Sequence, residues 1–464
     1  MKNRHLKFQA GYIEGRWLSP CFVSLDGEGK VLSIGEQPSE HKIDEFIPGY
    51  LMPGFANAHS HSFQYLMAGM TEELKSGHES ENFWSWREAM YQLAGSIEPD
   101  QLMELTTHFY RILVEHGYTS VCEFHYLHHD KKGLPYAQAG AMSAAIMEAA
   151  FRSGINLTLI PVYYHQSAPG VPIQAQQNRF YSPDTNSYLN LLEQIAHINR
   201  ADYPDVLLGY GVHSMRAAPL KDIKTILGTH WALGPAHLHV SEQAADALLF
   251  EETYHCRAID WLYDNVPLSD HHNLVHATHI NDLEIRKLVA AKATVVLCPS
   301  TEANLGDGFF PLPEFFNQGG SFCIGTDSQM ELCPFGEARM PDYLQRLFLE
   351  QRSPFCNAQN LDAGRLLFNH IQKAGRKALG QSETAFAIGK PFEGIVLNGE
   401  HDRLIERPLD KILSIAMYCG DKSFIDRVYA KGKLLVEKGQ HIDRADGLLA
   451  YRSVVKQAWS SVMP

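Results

Sequence analysis

The sequence predicts an α/β protein: a (β/α)8 TIM-type barrel joined to a small β-sandwich built from both chain ends. Two observations predict it. Between residues 52 and 380, short apolar runs alternate with helix-like stretches, the order expected of parallel β/α units. At the ends, residues 1–51 and about 381–440 instead alternate apolar and polar positions between turn residues, the period-2 pattern of antiparallel strands. We therefore place the sandwich at 1–51 with 381–464 and the catalytic barrel at 52–380. A chain of 464 residues is long enough for both.

Taken in order, the N-terminal strands turn at Tyr12-Ile13-Glu14-Gly15 and at Asp26-Gly27-Glu28-Gly29. The apolar run Phe46 to Phe55 then reads as a buried strand leading into His59 and His61. Barrel strands are expected at about 51–61, 117–126, 155–165, 205–215, 235–242, 273–279, 293–299 and 322–328, with helices such as Gln101–His116 and Gly140–Ser153 between them. The closing β segments are Gly389 to Leu397 and Val428 to Val436.

Composition narrows the class. No apolar run reaches the roughly 18 uncharged residues of a membrane span. The basic start, Met1 to Phe8, leads into no apolar signal region, so a cytoplasmic protein is expected. A formal charge of −13 argues against nucleic acid or an anionic membrane as partner. An anionic ligand would need a local cluster of positive groups. The eight cysteines are scattered, with no CxxC pair, and Cys122, Cys298 and Cys323 fall in apolar runs. They read as reduced, buried thiols.

In a (β/α)8 barrel, chemistry sits at the C-terminal strand ends, and here those ends are polar. The first closes on His59 and His61, then Gln64; the second on Glu123-Phe124-His125-Tyr126; the fourth on His213, with Arg216 beyond. The fifth closes on His237-Leu238-His239-Val240-Ser241-Glu242, the sixth carries His276 and His279, and the eighth ends at Asp327. Two histidines spaced i, i+2 on a strand share a face. Zinc takes nitrogen and oxygen ligands tetrahedrally and leaves one position for water in a catalytic site. His59, His61, one histidine of the fifth strand and Asp327 meet that need. His239 lies nearer the strand end than His237 and is the better ligand; His237 reads as packed core. His125, His128 and His129 form a second cluster without a spaced carboxylate or cysteine, and read as supporting and loop histidines. Asn304 to Phe309 reads as an active-site loop with no catalytic role.

The stretch Pro53-Gly54-Phe55-Ala56-Asn57-Ala58-His59-Ser60-His61 resembles the metal motif of the amidohydrolase superfamily, and His239, His276 and Asp327 match its strand 5, 6 and 8 positions. No lysine stands on the fourth strand, Val206 to Met215, to bridge two metals, which favours the single-zinc aminohydrolase branch. A closer resemblance, over nearly the whole chain, is to the formimidoylglutamate deiminases. It rests on His59 to Gln64, Phe83-Trp84-Ser85-Trp86-Arg87-Glu88, Tyr118 to Asp130, His239 to Gln243 and Cys298 to Gly308.

The resemblance implies hydrolysis of N-formimino-L-glutamate to N-formyl-L-glutamate and ammonia, in L-histidine degradation. It implies one Zn2+ per subunit, a place that iron or manganese could also take, and a homodimer. It makes Asp327 both ligand and proton acceptor, with His276 activating water and Glu242 serving the formimino nitrogen. Glu242 has the opposite strand parity to His239, so it joins the site only if the strand has ended. Gln64, Arg87, Tyr126, His213 and Arg216 fall at substrate-binding positions, the two arginines as natural carboxylate forks. The competing expectations are a single-zinc deaminase of guanine, cytosine or S-adenosylhomocysteine, and a barrel scaffold without catalysis.

Overall fold

The computed structural model describes residues 2–38, 42–72, 83–228, 234–356 and 361–462; the side chains of Phe83, Trp84, Ser85 and Val462 lie outside that description. Eight parallel strands follow one another in the expected places: β1 (Phe55–Ser60), β2 (Tyr118–His125), β3 (Asn156–Tyr163), β4 (Tyr210–Ser214), β5 (Ala236–Val240), β6 (His272–His276), β7 (Thr294–Leu297) and β8 (Ser321–Ile324). Every residue of β1 and β2 is buried, as parallel strands covered on both faces require. The expected helices are present as Pro99–Glu115 and Ala141–Ser153.

The barrel closes between β8 and β1 by a parallel bridge pairing Ser60 with Asp327. The Asp327 N–H donates to the His59 carbonyl at 3.0 Å, and the His61 N–H donates to the Asp327 carbonyl at 3.2 Å. Asn57 locks the seam further: its Nδ2 donates to Thr326 Oγ1 at 2.7 Å and its Oδ1 accepts from the Thr326 N–H at 3.0 Å. Gly325 makes this approach possible. A Cβ there would lie 2.7 Å from the backbone nitrogen and Cβ of His59.

Strands of both chain ends form one nine-stranded sheet. Its centre is Glu45–Met52, parallel to Arg4–Ile13 on one side and antiparallel to Gly394–Asn398 on the other. As expected of a β domain built from both chain ends, this sheet carries a second core that includes Phe8, Val23, Ile47, Phe392, Val396 and Tyr429. The helix Leu448–Val462 leaves the sheet and lies along the barrel, with Tyr451 stacked on His108 at 3.8 Å between ring centres.

One expectation is corrected. Phe46 to Phe55 is not a single strand running into the histidines. It breaks at Pro53-Gly54: Glu45–Met52 belongs to the terminal sheet and β1 begins at Phe55. Pro53 has no N–H for a ladder, and a Cβ on Gly54 would stand 2.1 Å from Thr119 Cγ2. The predicted 205–215 strand also divides, into Leu207–Leu208 and β4.

All eight cysteines are free thiols, and Cys122, Cys298 and Cys323 are buried. Among the described residues, no helix is long and apolar enough to cross a membrane.

Gly325→Ala should destabilise the protein by about 1–3 kcal/mol, the usual cost of overpacking a dense core. Urea unfolding of the purified variant measures this. An unchanged midpoint would mean that the seam tolerates a wider strand spacing.

Candidate active site

The seam brings three candidate ligands together and β5 supplies a fourth. His59 Nε2 lies 3.1 Å from His61 Nε2 and 2.9 Å from His239 Nε2. Asp327 Oδ1 lies 3.5 Å from His59 Nε2 and 3.2 Å from His61 Nε2. A tetrahedral ion with bonds of about 2.0–2.1 Å separates its donors by about 3.3–3.4 Å, so His61, His239 and Asp327 each stand about one coordination edge from His59, and the three histidine nitrogens form one compact group. Their chemistry agrees. His61 Nδ1 is 2.9 Å from the Phe124 carbonyl, which only accepts, so the proton is on Nδ1 and the lone pair on Nε2. Burial lowers the His59 pKa to about 3, and burial with the neighbouring histidines lowers that of His239 well below the usual value. Both are therefore neutral, the ligating form. Burial alone would raise the Asp327 pKa, but His59 and His61 hold it well below the carboxylate range. The residues fit one divalent cation.

A second group, His276, Cys298 and Glu302, is also compact enough to share an ion. Its donors are already engaged: Glu302 Oε1 accepts from the Cys298 N–H at 2.8 Å and lies 3.2 Å from His276 Nδ1. Burial pushes the Cys298 thiol well up, which keeps it protonated and a poor ligand.

Left-handed backbone at the strand ends turns further side chains into the site. Ser241, His276, Ala277 and Asp327 have φ of +48°, +67°, +50° and +44°, values that non-glycine residues adopt sparingly and often at functional sites. β5 stops at Val240, so the parity objection to Glu242 is removed. Glu242 Oε1 lies 3.6 Å from His276 Nε2, and Asp327 Oδ2 lies 3.8 Å from the same nitrogen. Burial opposes a charge on His276, yet Glu242, Glu302 and Asp327 raise its pKa to about 10. It is a buried imidazolium at neutral pH.

Above this cluster is a cavity of about 520 Å³. Every sequence-predicted site residue lines it except His59, which lies fully buried beneath: His61, Gln64, Arg87, Tyr126, His213, Arg216, His239, Glu242, His276 and Asp327. Gln64 Nε2 donates to Tyr126 Oη at 3.0 Å. Burial and then Arg216 hold His213 well below its usual pKa, so it is neutral. Arg216 Nη1 pairs with Asp246, and the Arg87 guanidinium lies over the Tyr91 ring at 5.6 Å.

The sequence reading did not single out the walls: Trp86, Met90, Tyr91, Tyr164, Phe180 and Leu305. The hydroxyls of Tyr91 and Tyr164 are held by Gln177 Nε2 at 2.9 and 2.7 Å. Leu305 comes from the Asn304–Phe309 loop. Glu302, Asp307 and Asp246 were also missed. Glu302 stands four residues past Cys298 at the end of β7, and that position at the barrel's C-terminal rim was its one available signal.

His237 is set apart from the ligands, its Nε2 donating to the Ala378 carbonyl at 2.9 Å. His128 and His129 donate from Nε2 to the carbonyls of Val162 and Tyr181 at 2.9 and 2.8 Å, which accounts for them as loop anchors. His125 is buried beside His128.

Comparison with known proteins agrees with this geometry. Residues 50–435 match the amidohydrolase family. A formimidoylglutamate deiminase from Pseudomonas aeruginosa is 35% identical over 413 residues, covering 89% of this chain and 90% of that protein. A 5-methylthioadenosine/S-adenosylhomocysteine deaminase from Shouchella clausii is 24% identical over 398 residues, covering 84% and 82%. The crystal structure of an amidohydrolase from Brucella melitensis superposes with a TM-score of 0.90 at 32% identity, covering 98% of this chain and 99% of that one.

Metal analysis of protein purified without chelator tests the ligand set. His239→Ala should lose the ion, while His237→Asn should keep it at the wild-type ratio. Retention by the first variant, or loss from the second, would reassign the fifth-strand ligand.

Proposed function

The chain belongs to the amidohydrolase family and is a hydrolase of C–N bonds, and from that premise we propose that it hydrolyses N-formimino-L-glutamate to N-formyl-L-glutamate and ammonia, in L-histidine degradation. The supporting observation is that two guanidiniums, Arg87 and Arg216, share one cavity with the histidine–aspartate cluster. A small dicarboxylate carrying a formimino group matches that polarity. A flat neutral base offers no carboxylate to either guanidinium. The similarity to the Pseudomonas deiminase favours the same substrate. The reading includes one Zn2+ per chain and, as the family resemblance implies, a cytoplasmic homodimer.

A zinc ion held by His59, His61, His239 and Asp327 would supply Lewis acidity, lowering the pKa of water at the open position to about 7. The chain does the rest. The Asp327 carboxylate takes the water proton as its oxygen attacks the formimino carbon. The attacked carbon becomes tetrahedral, bearing one oxygen and two nitrogens. The cationic His276 steadies negative charge on that oxygen, and is itself held by Glu302 at Nδ1. Burial raises the Glu242 pKa, with Asp327 adding to it and His276 opposing. Glu242 is placed to pass the water proton from Asp327 to the departing nitrogen, which leaves as ammonia only once protonated. The C–O bond forms and the C–N bond breaks. Both water protons leave the oxygen, the first through Asp327 and Glu242 to the nitrogen, the second from the hydroxyl to Asp327 and then to solvent as the carbonyl forms. A protonated amidine and water thus give the formamide, ammonia and one proton. Arg87 and Arg216 hold the carboxylates by charge-assisted forks; Gln64, Tyr126 and His213 add hydrogen bonds.

Ammonia release from N-formimino-L-glutamate, guanine, cytosine and S-adenosylhomocysteine tests this directly. Turnover is expected on the first alone; turnover only on a base would overturn the reading. Arg216→Met should raise KM about 10- to 150-fold with the metal retained, the worth of a charged hydrogen bond of about 1.5–3 kcal/mol. Asp327→Asn should cut kcat by at least about 100-fold, the lower range for a lost proton carrier. Survival within tenfold would remove Asp327 from that role.

A further inference from the structure

Arg216 stands between two cavities. One is the site described above. The other, of about 490 Å³, lies beyond it and is lined by Asp246, Leu249 and Phe250, while sharing His213, His239 and Glu242 with the first. Asp246 faces only the second. It is the third residue of the helix Ala244–Tyr254, where an acid reads from sequence as a complement to the helix dipole. Its carboxylate instead takes Nη1 of Arg216. Asp246 Oδ1 is buried and makes no hydrogen bond among the described residues. The pair is enclosed, with side-chain exposures of 9% for Arg216 and 15% for Asp246.

A guanidinium this deep needs a counter-charge, or its desolvation is uncompensated. It also has five coplanar donors, more than one carboxylate can use. The Arg216 backbone is fixed as well: its carbonyl accepts from Gln166 Nε2 at 3.0 Å. Gln166 holds the main chain and Asp246 holds Nη1, so the guanidinium is restrained before any ligand arrives. Arg87 needs that restraint. Burial and then Arg216 disfavour its charge, so an unanchored Arg216 would swing away from a second cation. Pre-orientation of this kind lowers the cost of binding.

We propose that Asp246 is a positioning residue: from behind the cavity it holds the Arg216 fork in the orientation that receives a substrate carboxylate. The inference rests on the reading that Arg216 meets such a carboxylate. Asp246 touches no reacting atom, so its loss appears in KM and leaves kcat. Asp246→Asn keeps the shape and removes the charge.

The test is a double-mutant cycle on the metal-loaded protein, with steady-state ammonia release and calorimetric titration of glutarate as readouts. Asp246→Asn is expected to raise KM for N-formimino-L-glutamate at least tenfold, keep kcat within threefold and weaken glutarate binding in proportion. The double variant Arg216→Met, Asp246→Asn should be no worse than Arg216→Met alone, because the aspartate acts only through the arginine. Asp246→Glu should recover part of the loss. A KM within twofold of wild type, a fall in kcat instead, or additive losses in the double variant would each overturn the proposal. The two readings fail separately. If the wild type releases no ammonia from N-formimino-L-glutamate but binds glutarate in an Asp246-dependent way, the reaction is wrong and the positioning stands. If ammonia is released and glutarate binding ignores Asp246, the positioning is wrong and the reaction stands.

Discussion

The site depends on the backbone seam that closes the barrel. Two hydrogen bonds run between β1 and the residues after β8, one from Asp327 to His59 and one from His61 to Asp327. They join the three residues whose side chains meet beneath the cavity. Closure of the sheet and assembly of the ligand set are therefore one event, and only β5 must deliver a further group, His239. Gly325 and Asn57 serve the seam and not the chemistry, yet the spacing of the ligand atoms follows from them.

Charge is distributed along the cavity. At its floor, Glu242, Glu302, Asp327 and nearby Asp307 surround His276, and burial with Glu242 raises the Asp307 pKa to about 9. Arg87 and Arg216 line the same cavity. The proposed substrate, a cationic amidine carrying two carboxylates, offers a complement to both the acids and the guanidiniums. In the proposed reading the two guanidiniums, Arg216 buried and Arg87 half-buried, offset locally the long-range repulsion that a chain of net charge −13 exerts on an anion.

The barrel was legible because parallel strands are continuous apolar runs of fixed order, and because polar residues at six of their ends have no packing explanation. The four candidate ligands were proposed from parity and position. The family resemblance was needed for Arg87 and Gln64, which reach the site from segments after β1 whose course spacing does not reveal. What stayed hidden shares a cause: the residues are near in space and distant in sequence. Tyr164 and Tyr91 look like core aromatics, and Asp246 looks like a helix-start acid. The break at Pro53-Gly54 was hidden for another reason, since one apolar run served two sheets. The parity doubt over Glu242 could be settled only by the left-handed turn at Ser241, a conformation that serine does not advertise.

The closure seam, with β5, is proposed to build a three-imidazole, one-carboxylate metal site. X-ray absorption at the zinc edge of the loaded protein measures that shell directly. Three imidazole nitrogens with oxygen completing the shell, and no sulfur, are expected. Sulfur scattering would place the ion at Cys298 with His276 and Glu302, and a shell with fewer than three imidazoles would contradict the seam as its origin.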